Sequence, residues 1–223
     1  DFDVDFKLDN SPLTKADLHV NRHLSDFVHN SNCKNIISEE ISNLEFEERK
    51  SWRYYWVIDP IDGTKEFINK STDYTINIAL CHEKEPIFGL VSCPATNDIY
   101  YAYKNKGAFL NGKEISISTE TDSNLKRVIA SKSHINAETT KFIENLKKNY
   151  KIDVKNYGSS LKICKIAEGK ADIYPRFGPT MEWDTCAAQI ILEEAGGSML
   201  DKKNLKLTYN KADLRNPFFI ASS

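Results

Sequence analysis

The hydrophobic positions of the first half of the chain follow two different periods. Between residues 13 and 30 the apolar side chains recur at helical spacing, and Pro12 and Thr14 supply signals for a helix start, so a helix is predicted there. After it come short apolar runs that favour strands, while the charged stretch 44–50 predicts a solvated loop. The predicted strands of this half are 36–37, 54–58 (stopped at Asp59-Pro60), 75–81, 87–93 and 99–103.

Short polar turns join the last three of these strands, which favours an antiparallel meander. Asn111-Gly112 stands between apolar flanks and predicts a two-residue hairpin. A meander of half-buried strands needs helical cover, and only one clear helix precedes it. We therefore expect that a first helix is missing from this sequence; if it is absent from the protein, one face of this sheet is exposed.

After the polar stretch from Ser118 to Asn124 the pattern changes to an alternation of strands and helices. This stretch is the predicted boundary between an N-terminal α+β half, 1–120, and a C-terminal α/β half, 121–223. Such an alternation indicates an α/β layer. The predicted elements of the second half are strand 127–130, helix 137–150, strand 153–157, helix 160–168, strand 171–174 and helix 184–195.

Composition indicates a globular protein but does not indicate which reaction or ligand is involved. The 223 residues carry 30 basic and 32 acidic side chains, and 40% are hydrophobic, values typical of a globular protein. A net charge of −2 offers no general attraction to nucleic acid or to an anionic membrane. No apolar run approaches the roughly 20 residues of a bilayer span. The five cysteines are unclustered, which favours buried free thiols and a cytoplasmic protein.

The most informative stretch is 56–64, where a buried strand delivers two carboxylates, three residues apart, into a turn. Asp59 and Asp62 held about 4 Å apart would repel each other by roughly 4 kcal/mol at an effective dielectric constant near 20, so a cation between them is favoured. Hard oxygen ligands select Mg²⁺ or Mn²⁺ over zinc. The alternative is an ordinary Asp-Pro turn with Asp62-Gly63 at its tip.

Further acidic residues stand at the ends of two other predicted elements. Glu39 and Glu40 follow a short strand, and Asp184 begins an apolar helix. Taken singly, Asp184 can be a helix N-cap, and the two glutamates can be a solvated charge pair. Because active-site residues gather at element ends, the three acidic regions together favour one metal centre.

Several of these motifs resemble those of a known family. Asp59-Pro60-Ile61-Asp62-Gly63-Thr64, a downstream Trp183-Asp184 and Glu194-Ala195-Gly196-Gly197 resemble the signatures of the inositol monophosphatase superfamily of Mg²⁺-dependent, lithium-sensitive phosphatases. Within that superfamily the stretches 62–67, 158–162 and 174–179 resemble the branch of CysQ-type 3′(2′),5′-bisphosphate nucleotidases. The resemblance covers almost the entire chain, from Lys7 onward.

The resemblance implies an α/β (α+β) fold, a layered α-β-α-β-α sandwich of the inositol monophosphatase and fructose-1,6-bisphosphatase type. It implies removal of the 3′-phosphate of adenosine 3′,5′-bisphosphate (PAP), giving AMP and phosphate. The sulfated analogue of this nucleotide, PAPS, is implied as a further substrate. One alternative is an inositol monophosphatase or broad-specificity sugar phosphatase, against which Lys65-Glu66 argues. A second is a non-catalytic nucleotide-binding regulator. The expected partner is a small nucleotide bisphosphate, without nucleic acid or membrane span, for a monomer or homodimer.

The resemblance also implies roles for individual residues. Glu40, Asp59 and the carbonyl of Ile61 would hold one Mg²⁺; Asp59, Asp62 and Asp184 would hold a second; and a third, weaker Mg²⁺ would lie near Glu40 and Asp17. Mn²⁺ is expected to substitute, and Li⁺ is the expected inhibitor. Thr64 and Asp17, with Glu40, are implied as the catalytic residues, Gly63 and Thr64 as the phosphate contacts, and His134, Ser159, Lys162 and Arg176 as the substrate contacts.

Three of these residues also have ordinary interpretations. Asp17 can be a first-turn acid favoured by the helix dipole. His134 can be a surface or structural histidine, and Lys162 can be a solvated helix lysine.

Overall fold

The computed structural model describes residues 4–6, 12–41, 43–118, 124–131 and 136–223. The described strands are β1 (Val4–Phe6), β2 (Pro12–Thr14), β3 (Ile36–Ser38), β4 (Tyr54–Asp62), β5 (Thr75–His82), β6 (Glu85–Cys93), β7 (Asp98–Tyr103), β8 (Ala108–Leu110), β9 (Lys113–Ile115), β10 (Leu125–Ser131), β11 (Lys151–Tyr157), β12 (Ile173–Arg176), β13 (Ser198–Asp201) and β14 (Phe219–Ser222). The described helices are α1 (Lys15–Asn30), α2 (Phe46–Arg49), α3 (Thr64–Ile68), α4 (Ala137–Leu146), α5 (Leu161–Ala167), α6 (Cys186–Glu194) and the short 3₁₀ helix Glu182–Asp184.

Seven strands of the first half form one sheet in the order β3-β4-β5-β6-β7-β8-β9. β3 runs parallel to β4, and each later strand is antiparallel to the one before it. The predicted meander is therefore confirmed. Its last turn is the predicted hairpin, in which Asn111 and Gly112 both have positive φ, as the favoured two-residue hairpin turn requires.

The second half forms a five-stranded sheet in the order β11-β10-β12-β14-β13. β10 is parallel to both β11 and β12, as the predicted α/β alternation requires. β14 is antiparallel to β12 and β13, so the sheet is mixed. The sequence reading did not predict β13 and β14, which follow the last predicted helix.

Of helices α1 and α2 in the first half, the sequence predicted the first but not the second. α1 agrees with its predicted range, and Thr14 caps it by accepting a hydrogen bond from the backbone N–H of Asp17. The predicted loop 44–50 is wrong in part, because 46–49 forms the single helical turn α2. Its Arg49 side chain is buried and donates a 2.6 Å hydrogen bond to Asn210 Oδ1, which ties this turn to the second half.

Successive residues of β4 face opposite sides of the seven-stranded sheet. Trp56 and Ile58 face α1 and pack with Val28. Tyr55 and Val57 face the other way, into one core cluster that also contains α5, α6 and the inner face of the five-stranded sheet. The strands of the first large sheet all precede residue 116, and those of the second all follow residue 124, while one core cluster joins the two sheets.

The helices complete the layers. α6 packs on β5, β6, β7 and β8, and α5 packs on α6 and on the second sheet, while α4 contacts β12 beyond it. Together with α1 this gives the expected α-β-α-β-α order. The contact between α6 and β6 is so close that a Cβ on Gly89 would lie 2.4 Å from the carbonyl oxygen of Ala187.

The residues that the structure describes cover the outer face of the first sheet only in part. α1 packs mainly on β4, and aromatic residues on β6, β7 and β8 continue the apolar face beyond it. Tyr103 at this end is 50% exposed. Within the described ranges, no helix combines the length and the apolar character needed to cross a membrane.

Candidate active site

A cavity of about 680 Å³ opens where the two large sheets meet. Its walls come from the end of β4, from α3, from the N-terminal part of α5, from β12 and from the 3₁₀ helix. Acidic residues such as Asp59 and basic residues such as Lys162 line this cavity.

The end of β4 places two carboxylates on the same side of the strand. The strand runs through Pro60 to Asp62, beyond the predicted stop. Residues three apart normally face opposite sides of a strand, but Asp59 pairs with Asn77 and Asp62 with Thr75, so β4 carries one extra residue there. This β-bulge reverses the alternation and turns both carboxylates toward the cavity.

Asp184 completes an acidic cluster with these two residues. Asp59, Asp62 and Asp184 each offer a carboxylate oxygen, and the three oxygens lie within 4.8 Å of one another. Asp184 is not the N-cap of α6, which is Thr185. It ends the preceding 3₁₀ helix, where its Oδ2 accepts a 2.8 Å hydrogen bond from the backbone N–H of Met181.

The electrostatics of the cluster fit a divalent cation. Burial, followed by the charges of Glu39 and its two partner aspartates, raises the pKa of Asp59 well above its ordinary value. Burial also raises the pKa of Asp62 to about 6 and, together with the Asp62 charge, that of Asp184 to about 8. Asp59 Oδ1 is buried and has no hydrogen-bond partner among the described residues. A buried carboxylate oxygen without a donor is suited to ligate a hard cation.

Glu39, and not Glu40, belongs to this cavity. Glu39 lines the wall, and its charge acts on Asp59, whereas Glu40 is absent from the lining and its backbone carbonyl accepts a 3.5 Å hydrogen bond from Asn21. The parallel register explains the difference. Ser38, the last residue of β3, pairs with Ile58 on β4. The residues that follow these two, Glu39 and Asp59, are therefore neighbours. The sequence pair alone did not distinguish the two glutamates.

Thr64 and Asp17 are brought together behind the acidic cluster. Thr64 Oγ1 lies 3.3 Å from Asp17 Oδ1 and 3.2 Å from the carbonyl oxygen of Ile61. The other carboxylate oxygen of Asp17 accepts hydrogen bonds from the backbone and hydroxyl of Thr14. Asp17 is therefore a first-turn helix acid, as its ordinary interpretation holds, and a partner of Thr64 at the same time.

The opposite wall is basic. Lys162 is only 7% exposed, so it is not a solvated helix lysine. Burial lowers its pKa to about 8, with a smaller contribution from Arg176, against the opposing charge of Asp62. Arg176 Nη2 donates to the carbonyl oxygen of Pro179 at 2.7 Å. Arg176 Nε is buried, and the described part of the chain offers it no acceptor.

The basic wall lies at the carboxyl ends of parallel strands, where open α/β sheets bind ligands. Ser131 ends β10, Ser159 follows β11 and Arg176 ends β12, and all three line the cavity. Ser159 has φ +46°, which directs the chain into α5. His134, which the resemblance implied as a substrate contact, lies outside the described residues.

Sequence reasoning included Glu39 only as one member of an acidic pair, and it assigned no site role to some other residues that line or support the cavity, among them Lys65, Ser131, Asn77 and Ser160. Strand register would have identified Glu39. The contacts between Asn77, Ser160 and Asp62 join residues far apart in the chain, so no local pattern reveals them.

The model of the inositol monophosphatase family matches residues 2–217. The chain belongs to the inositol monophosphatase family. Among curated relatives, the 3′(2′),5′-bisphosphate nucleotidase CysQ of Escherichia coli K12 is 36% identical over 224 residues, 99% of this chain and 89% of the relative.

Solved structures of family members have the same fold. CysQ from Bacteroides thetaiotaomicron has a TM-score of 0.88 and 34% identity, and the match covers 97% of this chain and 86% of that one. A structure described as an IMPase/NADP phosphatase complexed with Mg²⁺ and phosphate has a TM-score of 0.82 at 20% identity, over 100% and 82% of the two chains. The expected fold class is therefore confirmed.

Proposed function

We propose that this chain is a Mg²⁺-dependent 3′(2′),5′-bisphosphate nucleotidase that hydrolyses the 3′-phosphate of adenosine 3′,5′-bisphosphate to AMP and phosphate. One observation carries the proposal: three carboxylates within 4.8 Å face Lys162 and Arg176 across one cavity. Such a site has an acidic part for metal ions and a basic part for a second phosphate. Relatives named CysQ, about 36% identical along the chain, support the same activity.

The acidic part would hold two cations, with Glu39 taking the place that the sequence analysis gave to Glu40. The donors are carboxylate and carbonyl oxygens, the ligands that Mg²⁺ prefers. When bound, Mg²⁺ supplies charge neutralisation at the phosphate oxygens and makes water more acidic. The proposed ligand sets are Glu39, Asp59 and the Ile61 carbonyl for one ion, and Asp59, Asp62 and Asp184 for the other.

Thr64 and Asp17 would orient and deprotonate the attacking water. The Thr64 hydroxyl has one proton, and donating it to Asp17 Oδ1 leaves its lone pairs free to accept a hydrogen bond from water. Asp17 is 1% exposed and is held by Thr14, so its position is fixed before substrate binds. The proton of the water would then pass through Thr64 Oγ1 toward Asp17.

The phosphate to be removed would contact the turn at Gly63 and Thr64. Gly63 has φ +89°, a conformation in which a side chain is strained, and the turn forms part of the cavity wall. A glycine lets the backbone N–H groups approach the phosphate oxygens closely. Gly63 and Thr64, the phosphate contacts that the resemblance implied, are therefore the proposed phosphate contacts.

The second phosphate and the nucleoside would bind the basic wall. A buried lysine next to a half-buried arginine is costly unless an anion lies between the two charges, and a guanidinium can hold a phosphate by two parallel hydrogen bonds. Lys162 and Arg176 therefore form the proposed subsite for the 5′-phosphate, with Ser159 and His134 as further contacts. PAPS has a 3′-phosphate as well, so we include it as a second substrate.

A phosphate-release assay tests the proposal. With Mg²⁺, the protein should release phosphate from adenosine 3′,5′-bisphosphate much faster than from inositol 1-phosphate, and Li⁺ should inhibit the reaction. Mn²⁺ should partly replace Mg²⁺. A further change in activity at Mg²⁺ concentrations above those that saturate the first two ions would indicate the third, weaker ion. Preference for inositol 1-phosphate would favour the monophosphatase alternative, and no release from either substrate would favour the nucleotide-binding regulator.

Two variants connect the assay to the site. Asp62→Asn should abolish turnover because it removes ligand charge, while the near-equal size of asparagine preserves packing. The matched control is Asp213→Asn, whose carboxylate is 62% exposed and pairs with Arg215 on the surface. Equal activity of the two variants would remove Asp62 from the site. The cytoplasmic location and the oligomeric state stay predictions.

A further inference from the structure

Asp62 is held by groups from both halves of the molecule. Its Oδ2 accepts a 2.5 Å hydrogen bond from the backbone N–H of Ser160, at the start of α5. The same oxygen accepts a longer, 3.4 Å contact from Asn77 Nδ2 on β5. Both donors reach Oδ2, which leaves Oδ1 as the oxygen that can turn toward a cation.

The two donors are themselves joined by a buried chain of side chains. Ser160 Oγ donates a 2.7 Å hydrogen bond to Asn77 Oδ1. Thr75 Oγ1 lies 2.8 Å from the same serine hydroxyl. Because that hydroxyl has one proton and directs it to Asn77, Thr75 must be the donor in this second bond. Thr75 is 0%, Asn77 1% and Ser160 3% exposed.

We propose that Thr75, Asn77 and Ser160 are positioning residues that fix the orientation of the Asp62 carboxylate, so that the cation site in the first half depends on the docking of α5 from the second half. This inference rests on the proposed function. Outer hydrogen-bond partners commonly fix the geometry of metal-ligating carboxylates.

The packing around Ser160 supports this role. A Cβ on Gly158 would lie 2.6 Å from the carbonyl oxygen of Asp73, so the loop before α5 is pressed against the loop after α3. The loop therefore has little freedom to carry the Ser160 N–H away from Asp62. If these buried polar groups had only a structural role, their hydrogen bonds could all be made among themselves. Instead, Ser160 and Asn77 both donate hydrogen bonds to the Asp62 carboxylate.

The test uses the full chain and measures Mg²⁺ binding by isothermal titration calorimetry without substrate. Thr75→Val keeps the shape of the side chain but removes the donor, and Asn77→Ala removes the contact to Asp62. Both should weaken Mg²⁺ binding by about 10- to 100-fold, the usual effect of losing an outer partner of a metal ligand. Thr75→Ser retains the hydroxyl and should restore binding.

A kinetic split separates positioning from general damage. In both variants the Mg²⁺ concentration needed for half-maximal activity should rise, while KM for adenosine 3′,5′-bisphosphate at saturating Mg²⁺ should change by less than about twofold. The stability control is Asn136→Ala, which removes the side-chain cap of α4 outside the cavity. It should lower thermal stability and leave Mg²⁺ affinity unchanged.

The results distinguish this inference from the proposed function. Unchanged Mg²⁺ affinity in Thr75→Val, or equal losses in Thr75→Val and Thr75→Ser, would overturn the positioning role. If Asn77→Ala fails to fold, the two Thr75 variants decide the question. Wild-type protein that binds Mg²⁺ but releases no phosphate, with weaker binding in Thr75→Val, would overturn the function and leave the positioning role supported.

Discussion

Without divalent cations, the acidic cluster should make the protein less stable as the pH rises from 6 to 8. Burial and the Asp62 charge raise the pKa of Asp184 from its ordinary value of 3.8 to about 8. In this window the folded protein therefore holds a proton on Asp184 that the unfolded chain has already lost. Stability falls with pH wherever the folded state binds more protons.

The size of the effect follows from the proton balance. Each pH unit over which the folded state holds one extra proton lowers the free energy of unfolding by about 1.4 kcal/mol. From pH 6 to 8 Asp184 alone contributes about 2 kcal/mol. Asp62, with a pKa of about 6, adds a fraction at the lower end, and the raised pKa of Asp59 acts in the same direction. For a chain of this size the loss corresponds to a decrease in Tm of about 4–8 °C.

Thermal unfolding in EDTA at pH 6, 7 and 8 would measure this decrease. Saturating Mg²⁺ should remove most of it, because cation charge replaces the proton. Asp184→Asn should make the decrease clearly smaller without Mg²⁺, because it removes the Asp184 proton, and Asp213→Asn, on the surface, should retain the full decrease. The range ends at pH 8 because Lys162, with its pKa lowered to about 8, acts in the opposite direction above it. A flat or rising Tm in EDTA, or the same decrease in Asp184→Asn, would refute the reasoning.

Three further predictions concern the basic wall, the loop packing and the thiols. Lys162→Ala combined with Arg176→Ala should raise KM for adenosine 3′,5′-bisphosphate by about 10- to 100-fold, through loss of charged hydrogen bonds, and should spare a monophosphate substrate; equal effects on both substrates would indicate structural roles. Gly158→Ala should lower the free energy of unfolding by about 1–3 kcal/mol in chemical denaturation and should reduce activity, because the new Cβ would lie 2.6 Å from a carbonyl oxygen. Gly178→Ala should be tolerated, because a Cβ there has no neighbour closer than 3.8 Å. A thiol reagent should label Cys33 first in the native protein, because the other four cysteines are buried; rapid native labelling of several thiols would contradict this.

The sequence predicted the elements whose pattern is local. The meander, its Asn111-Gly112 hairpin and helix α1 each depend on residues close together in the chain, and the structure contains them. The strands β13 and β14 were missed because they are four residues each and complete a sheet whose other strands lie far away in sequence. Such short strands carry little periodic signal of their own.

The same distinction applies to the site. Motif spacing identified Asp59, Asp62 and Asp184, and the structure brings their carboxylates together. It could not distinguish Glu39 from Glu40, because that depends on which residue of β3 pairs with which residue of β4. The sequence pattern also ended β4 at Asp59, because a proline is normally excluded from a regular central strand. The strand continues through Pro60 to Asp62 because Pro60 lies in a β-bulge, where a proline is tolerated.

The position of α6 has a consequence for the independence of the two halves. This helix belongs by sequence to the second half, yet it covers the first sheet, and Gly89 allows it to approach the backbone of β6. A fragment ending near residue 118 would expose that apolar surface to water, and we expect it to aggregate. Because this helix covers the first sheet, we expect the two halves to fold and unfold together, and neither half to fold when it is produced alone.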